Sequence, residues 1–436
     1  MKIMKFGGTS VGSAEGIRRI RRIVQAEESV IVVVSAFSRV TDILMTFRDA
    51  KQLSDEDCRL LITRHDEVTT ELWPEGNERV QVYVAAQIDR LQELLRLPAT
   101  LERHDSILAI GETISSFIVS QYITEVRPCR QLLATECIIT NDEFGNAEVL
   151  DEPTRKAVSR IIRQHLSEGA VIVATGFIGA TMDGRTTTLG RGGSDYSAAL
   201  FGYYVGAEEI QIWTDVDGVL STDPRIVREA VLLQEISYGE AAELAAFGAK
   251  VIHPKTMRPA VHAGIPLRIL NTFGNSEGTV VSEKTASEKL VTAVASKARV
   301  MMVNVHAVEM LQERGFLARI AQVFAQRGIS VDIVSASETS VSVTLDNSHN
   351  LAEAIKDLEQ FSQVEQRDDV GLVSLIGSKV TRPIRMQYIF MKLADLNLET
   401  AMVSVGAMGI NVSLVVDAER VNELVHVMHK LCGSRA

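Results

Sequence analysis

Six short β-rich runs, most of them closing on Gly, Ser, Thr, Asp or Asn and alternating with helical stretches, limit what this chain can fold into. They lie at 1–6, 30–35, 106–109, 171–176, 209–214 and 267–271. Helical stretches fall at 14–27, 55–70, 79–95, 113–125, 153–168 and 196–205. Parallel strands need a long crossover, and a helix supplies it. The alternation therefore predicts an α/β fold, a mainly parallel sheet sandwiched by helices, over residues 1–285. Ligands of such sheets sit beyond the carboxyl ends of the strands, so function is expected in those loops.

Beyond a polar linker at 286–297 the pattern changes. Residues 298–370 read β-α-β-β-α-β, and 371–436 read similarly. Arg327-Gly-Ile-Ser-Val-Asp-Ile-Val-Ser335 aligns with Asn397-Leu-Glu-Thr-Ala-Met-Val-Ser404. A repeat of roughly 70 residues is too long for a solenoid period and fits two tandem ferredoxin-like domains.

Composition removes other classes. The formal charge is −11 and aromatic residues are 5%, which disfavours nucleic acid as a partner. Cysteines stand at 58, 129, 137 and 432 with no C-x-x-C pair, so neither a zinc site nor a disulfide framework is expected. Apolar runs such as 30–36 and 170–179 fall short of the ~18–20 residues of a membrane span. The amino terminus runs directly into a glycine loop without a signal-type apolar core, so a cytoplasmic location is expected.

Four segments carry candidate chemistry. Lys5-Phe-Gly-Gly-Thr-Ser-Val-Gly-Ser13 places glycines between a strand and a helix start, where amides and helix dipole favour an anion. Ser13 stands where a Walker A lysine belongs, so that motif fails; the cation precedes the loop, at Lys5. Taken alone, the segment also fits a plain glycine turn beside a surface lysine. Leu189-Gly-Arg-Gly-Gly-Ser-Asp195 sets Arg191 among glycines, where its fork can grip a carboxylate or phosphate; an ordinary N-cap at Ser194 or Asp195 is the alternative. Trp213-Thr-Asp-Val-Asp-Gly218 followed by Thr222-Asp-Pro-Arg225 reads as a charged strand-end turn, and equally as solvated charges on an Asp-Gly turn. Phe247-Gly-Ala-Lys250 puts a lysine after a glycine in an apolar stretch, which an exposed helix end would also explain.

Together with Val34-Ser-Ala-Phe-Ser-Arg-Val-Thr-Asp42, Gly111-Glu112 and Thr140-Asn-Asp-Glu-Phe-Gly145, these segments resemble the aspartate kinases of the amino-acid kinase family, in order and spacing, over essentially the whole chain. The resemblance is to monofunctional members of the lysine-sensitive type. It implies an ATP-dependent kinase phosphorylating the β-carboxylate of L-aspartate, the first step towards lysine (through diaminopimelate), threonine and methionine. It also implies two C-terminal ACT domains, the first binding the effector, the second pairing chains into a homodimer or dimer of dimers. Mg²⁺ would enter with ATP; no metal site made by protein ligands alone is expected.

The resemblance also assigns roles. Lys5 would contact the transferring phosphoryl group, with Asp195 as its catalytic companion, and Gly7, Gly8, Thr9 and Ser10 would line the phosphates. Ser35, Thr41, Glu112, Arg191, Ser194 and Asp195 would hold aspartate. Thr214, Asp215, Leu220, Arg225, Lys250 and Val251 would hold ATP, Leu220 standing where the family often has tyrosine. Phe37, Ser38 and Arg39 occupy a segment usually made of smaller residues. Met310, Gly315, Phe316, Leu317, Ser330, Val331, Asp332, Ser337 and Glu338 would form a lysine site. A glutamate or N-acetylglutamate kinase, or an inactive amino-acid sensor, are the rival readings; the Gly-Arg-Gly-Gly-Ser-Asp loop and the retained Lys5, Glu112, Arg191 and Asp195 weigh against them.

Overall fold

The computed structural model describes residues 1–166, 170–247, 254–283, 289–306, 315–346 and 349–433. The chain divides into two compact units. One comprises Met1–Val219, Gln234–Tyr238 and Val251–Lys284; the other comprises Leu220–Leu233, Gly239–Lys250 and Thr285–Ala436.

The first unit opens with β1 (Lys2–Phe6), α1 (Gly8–Val11), α2 (Ala14–Gln25), β2 (Val30–Val34) and α3 (Val40–Thr46). Three long helices follow, α4 (Asp55–Leu72), α5 (Glu78–Arg96) and α6 (Leu101–Thr124). Then come β3 (Cys129–Leu132), β4 (Ile139–Thr140), α7 (Asp151–Leu166), β5 (Val171–Thr175), β6 (Ile178–Thr181), β7 (Thr186–Thr188) and α8 (Gly193–Val205). The unit closes with β8 (Glu209–Thr214), β9 (Glu235–Ser237), α10 (Pro254–Ala263), β10 (Leu267–Asn271) and β11 (Thr279–Ser282); α9 (Tyr238–Ala246) falls almost wholly in the second unit.

Eight strands form one sheet in the order β3-β5-β2-β1-β8-β10-β11-β9. Every pair is parallel except β10 with β11. All five residues of β2 and of β5 are buried, as strands covered on both faces require. Met4, Phe6, Val30, Val32, Val34, Val171 and Val173 face a core built with α2 to α6. On the opposite face α8 lies so close that a Cβ on Gly202 would fall 2.6 Å from Ile210. A second sheet, β4-β6-β7, carries the turn that leads to Arg191. The expected fold class therefore holds.

The strand expected at 106–109 is instead the middle of α6. That helix is long and apolar enough to cross a membrane, but 89% of its apolar window is buried inside the protein. A helix buried on all sides has no polar stripe, so its local sequence carries no helical period.

The second unit contains β12 (Ala293–His306), α11 (Phe316–Gln326), β13 (Val331–Ala336), β14 (Ser340–Leu345), α12 (Leu351–Glu359), β15 (Gln363–Ile376), α13 (Pro383–Asp395), β16 (Met402–Val405), β17 (Asn411–Asp417) and α14 (Val421–His429). They make one six-stranded sheet, β13-β14-β12-β15-β17-β16. Its two halves are ferredoxin-like modules of ACT type with separate cores, one around Val303, Phe316, Phe324 and Leu351, the other around Val373, Leu414, Leu424 and Met428.

The expected boundaries at 286–297 and 370/371 do not hold. β12 and β15 each run through both modules. From 371 onward the described chain has strands only at 371–376, 402–405 and 411–417. The missing fourth strand comes from the supposed linker, where Ala293–Lys297 pair with Leu372–Ile376. The unbroken catalytic span 1–285 is corrected too, since Leu220–Leu233 and Gly239–Lys250 belong to the second unit. There Thr292 Oγ1 donates to buried Glu240 at 2.7 Å and the Ser378 amide donates to it at 2.9 Å.

Between the modules the β12–β15 register slips around Val300. A Cβ on Gly371 would lie 2.4 Å from Val421 Cγ2 and 2.6 Å from the Ala298 carbonyl oxygen. Gly371→Ala should therefore destabilise the second unit by ~1–3 kcal/mol, the usual cost of overpacking. Thermal unfolding measures this; an unchanged midpoint would mean that the crossing relaxes freely.

Candidate active site

The parallel strands bring their carboxyl ends to one edge. Phe6 pairs with Val34 on one side and Trp213 on the other, Val34 with Thr175, and Thr214 with Asn271. β1 has β2 on one flank and β8 on the other, so chain order reverses across it and a crevice opens over its end.

Lys5 lies on β1, and its Nζ forms an ion pair with Asp195 Oδ1 at 2.6 Å. The two side chains are only 12% and 18% exposed. Asp195 sits in the first turn of α8, where the helix dipole favours its charge. The Lys5 Nζ stands 3.7 Å from where a Gly7 Cβ would be.

Gly7 caps α1, and its carbonyl accepts from the amides of Ser10 and Val11. A Cβ on Gly8 would meet the Ala36 carbonyl oxygen at 2.9 Å, and Gly8 accepts from the Ser38 amide at 3.1 Å. The glycine loop and the loop after β2 thus pack backbone to backbone. Thr9 is exposed, whereas Ser10 is buried with its hydroxyl 2.7 Å from Thr272 Oγ1. Ser10 therefore braces the loop.

Beside this pair stands Glu112, 3% exposed. Its Oε1 accepts from the Ala36 amide at 3.2 Å, and its Oε2 is buried without a partner. Desolvation pushes its pKa up to about 8, against the weaker opposite pull of the Ala36 amide. A Cβ on Gly111 would come within 2.8 Å of the Ala36 Cβ, so glycine here lets α6 carry Glu112 to the loop. Ser35 donates its amide to Phe6, and Thr41 lies half-buried on α3.

Arg191 projects between Gly190 and Gly192, both at positive φ (75° and 72°). It is exposed and makes no hydrogen bond or ion pair among the described residues. Its loop is anchored by buried Asp105, which accepts from the Thr188 amide and hydroxyl and from the Gly145 amide at 2.8–2.9 Å. Ser194 packs where a Cβ on Gly176 would fall, 2.6 Å from its own Cβ. On the β8 side, Gly7 donates to the Trp213 carbonyl at 3.2 Å and Thr272 to the Thr214 carbonyl at 2.8 Å, so Thr214 and Asp215 adjoin the glycine loop.

The sequence reading missed Asp105, Thr272 and Arg64. Arg64 Nη2, on α4, donates to the Gly12 carbonyl at 2.6 Å and to Ser38 Oγ at 3.1 Å. Among the described residues no group of three His, Cys, Asp or Glu is placed to hold a metal ion.

The second unit holds Leu220, bridged to Leu232, and Arg225, 89% exposed and paired with Asp223 at 2.6 Å. Lys250, Val251 and Met310 lie outside the described residues. Gly315, at φ 92°, caps α11; Phe316 is buried and Leu317 exposed. Ser330 and Val331 lead into β13, and Ser337 and Glu338 form the turn after it. Asp332 is already paired: Lys297 Nζ donates to it at 3.1 Å and to Asp346 at 2.6 Å. Burial and neighbouring Asp346 raise the Asp332 pKa, while Lys297 opposes the rise. Lys297 lay in the supposed linker, so its part was not foreseen.

Residues 1–271 match the model of the amino acid kinase family. The chain is 32% identical to the lysine-sensitive aspartokinase 3 of Escherichia coli, covering 98% of each. Among solved structures it is similar to E. coli aspartokinase III in complex with lysine and aspartate, a T-state, with TM-score 0.85, 30% identity and full coverage of both chains. It is similar also to the same enzyme with aspartate and ADP, an R-state, with TM-score 0.83, 30% identity and the same coverage.

Burial of Glu112 makes stability depend on pH. The unfolded chain ionises this group near ~4.3, while the fold keeps the proton to about 8. Its contribution is fully present below the lower value and is lost as pH rises towards the upper one. Glu112→Gln carries no such proton, so its stability relative to the parent should grow between about pH 5 and pH 8 and then level off. Denaturant midpoints across that range test this; a constant difference would mean that Glu112 is ionised in the fold.

Proposed function

Because the chain belongs to the aspartokinases of the amino acid kinase family, we propose that it transfers the γ-phosphoryl group of ATP to the β-carboxylate of L-aspartate, giving 4-phospho-L-aspartate. The observation that carries this reading is the covered Lys5 ammonium, held by Asp195 at 2.6 Å over the centre of the crevice. The step brings together two anions, a carboxylate and a triphosphate. The acceptor, with a pKa near ~4, is ionised at neutral pH and needs no general base. Catalysis then rests on positioning and on positive charge at the transferring group.

Lys5 supplies that charge and Asp195 orients it. The Gly7 and Gly8 backbone, with Thr9, faces the phosphates from the end of β1, and Thr214 and Asp215 flank the nucleotide. Mg²⁺ enters as the Mg·ATP complex and neutralises phosphate oxygens. Arg191, without a partner among the described residues, grips the α-carboxylate. The unpartnered Oε2 of Glu112 receives the α-ammonium, with Ser35, Thr41 and Ser194 completing the pocket. The acceptor carboxylate is then the free oxygen nucleophile. The product feeds the cytoplasmic synthesis of lysine, threonine and methionine.

Lysine is the proposed feedback effector, acting through the ferredoxin-like modules by which two chains pair. Asp332 and Asp346 share the single ammonium of Lys297, which leaves one net negative charge at the start of β13. A second ammonium is attracted there. The effector's carboxylate is then placed near the backbone at Gly315–Leu317.

Two measurements test this reading. Lys5→Ala should lower kcat by roughly a hundredfold or more, about 3 kcal/mol of transition-state stabilisation, in a coupled assay of ADP release with aspartate. Turnover above a third of the parent's would remove Lys5 from the chemistry, and release driven by glutamate instead would favour the rival acyl-phosphate kinase. For regulation, Asp332→Ala should raise the half-inhibitory lysine concentration at least tenfold, ~1.4 kcal/mol, with uninhibited kcat near the parent's. Inhibition by threonine but not lysine would reject the effector assignment alone.

A further inference from the structure

The loop after β2 carries Phe37, Ser38 and Arg39, and each of the three has a physical consequence here. Arg39 adopts φ 72°, a left-handed conformation that costs free energy for any residue but glycine. Phe37 is 1% exposed and its ring lies 5.1 Å from that of His65 on α4. His65 is fully buried; its Nδ1 lies 2.7 Å from the Leu61 carbonyl oxygen, and burial lowers its pKa to about 4, so a neutral ring meets Phe37. The neighbouring Arg64 reaches both loops of the crevice through one nitrogen, which bonds Ser38 Oγ and the carbonyl of Gly12. Glycine is required at position 12 for this, since a Cβ there would lie 2.8 Å from Ser38 Oγ and 3.1 Å from the Arg64 Nη2. Arg64 Nε is covered and has no acceptor, an uncompensated desolvation that a free surface arginine would avoid. Its ion pair with Glu67, at 3.5 Å, lies on its own helix.

We propose that Arg64, seated by the Phe37–His65 ring pair, is a positioning residue for phosphoryl transfer: it fixes the distance between the glycine loop that holds the phosphates and the loop that holds the acceptor. The proposal rests on the kinase reading above. Gly8 and Ser38 already join the two loops near β1. Arg64 adds a second tie at the far end of α1, and two ties remove the hinge that one would leave. Where attack is by one anion on another, a small misplacement of the reacting groups costs rate far more than it costs binding of either substrate alone. Arg64 touches neither substrate; it acts through Gly12 and Ser38.

The test is steady-state kinetics of Arg64→Gln, Arg64→Lys, Ser38→Ala and the Arg64→Gln/Ser38→Ala double variant, with thermal unfolding of each. Arg64→Gln should lower kcat by about tenfold or more while the KM values for ATP and for aspartate change less than about threefold. Arg64→Lys should recover part of that loss, because an ammonium keeps the charge but not the fork. The double variant should be little worse than Arg64→Gln alone, the mark of residues acting as a unit. Should Arg64→Gln fold poorly, Ser38→Ala by itself carries the test, with a fall in kcat at unchanged KM and midpoint. Overturning results are a kcat within twofold of the parent's in Arg64→Gln, additive losses in the double variant, or Ser38→Ala indistinguishable from the parent. If the parent itself releases no ADP with aspartate, it is the kinase reading that fails.

Discussion

The ion pair between Lys5 and Asp195 is the contact on which the first unit's geometry turns. It joins the central strand of the sheet to the first turn of α8, two segments 190 residues apart in sequence. An ammonium that is 12% exposed needs its counter-ion, and removing either partner leaves an unpaired charge with little water. The pair therefore fixes where α8 begins, and with it the turn that carries Arg191 and Ser194. Backbone contacts do the rest. Gly8 against Ala36, Gly111 against Ala36 and Gly176 against Ser194 are approaches that any side chain would block. The glycine loop and α6, distant in sequence, thereby reach within bonding distance of the loop after β2.

A different constraint governs the second unit. Its two modules have separate cores, yet they share two strands, β12 and β15, paired along nearly their full length. A ferredoxin-like module whose fourth strand comes from its neighbour's first strand cannot fold as an independent domain. It also cannot shift without moving the shared ladder, because close-packed cores accommodate displacement poorly. Lys297 sits at the end of the regular pairing, just before the slip, and bonds Asp332 and Asp346 in the first module. A change in the charge around Asp332 is therefore felt at the join between the modules.

How much of this the sequence revealed follows from what local patterns can encode. The strand ends with their glycines, Lys5, Arg191 and Asp195 stood out because glycine beside charge at a strand or helix end is a rare combination with few other uses, whereas Glu112, in the middle of α6, was named only through the family resemblance. Residues 106–109 misled because α6 is buried all round, so its apolar run carries no period. The polar stretch before 298 leaves room for one strand, but its place in the sheet was not legible, because 293–297 is completed by a partner some 75 residues further on. Arg64 and Asp105 were invisible for the same reason. Each lies in a helix with nothing unusual nearby, and its role comes from carbonyls and amides that only the fold brings within reach. Ser10 was legible as part of the glycine loop, but its burial against Thr272 was not.

The charge balance at the crevice explains how an anionic acceptor can approach a site that also contains carboxyl groups. Lys5 and Asp195 cancel one another. Glu112, with its pKa pushed up to about 8, contributes little charge at neutral pH, and Arg191 adds one positive charge with no partner among the described residues. Among Lys5, Asp195, Glu112 and Arg191 the balance is thus one positive charge, and Glu112 does not repel an incoming dicarboxylate. On the proposed reading, an amino acid brings an ammonium to the unpartnered Oε2, and that cation stabilises the ionised form of Glu112 which burial had disfavoured. The group becomes negative only when a positive charge lies against it. A dicarboxylate without an ammonium cannot trigger the change, and it leaves a buried polar oxygen unsatisfied, which is the stronger form of discrimination available to a buried site.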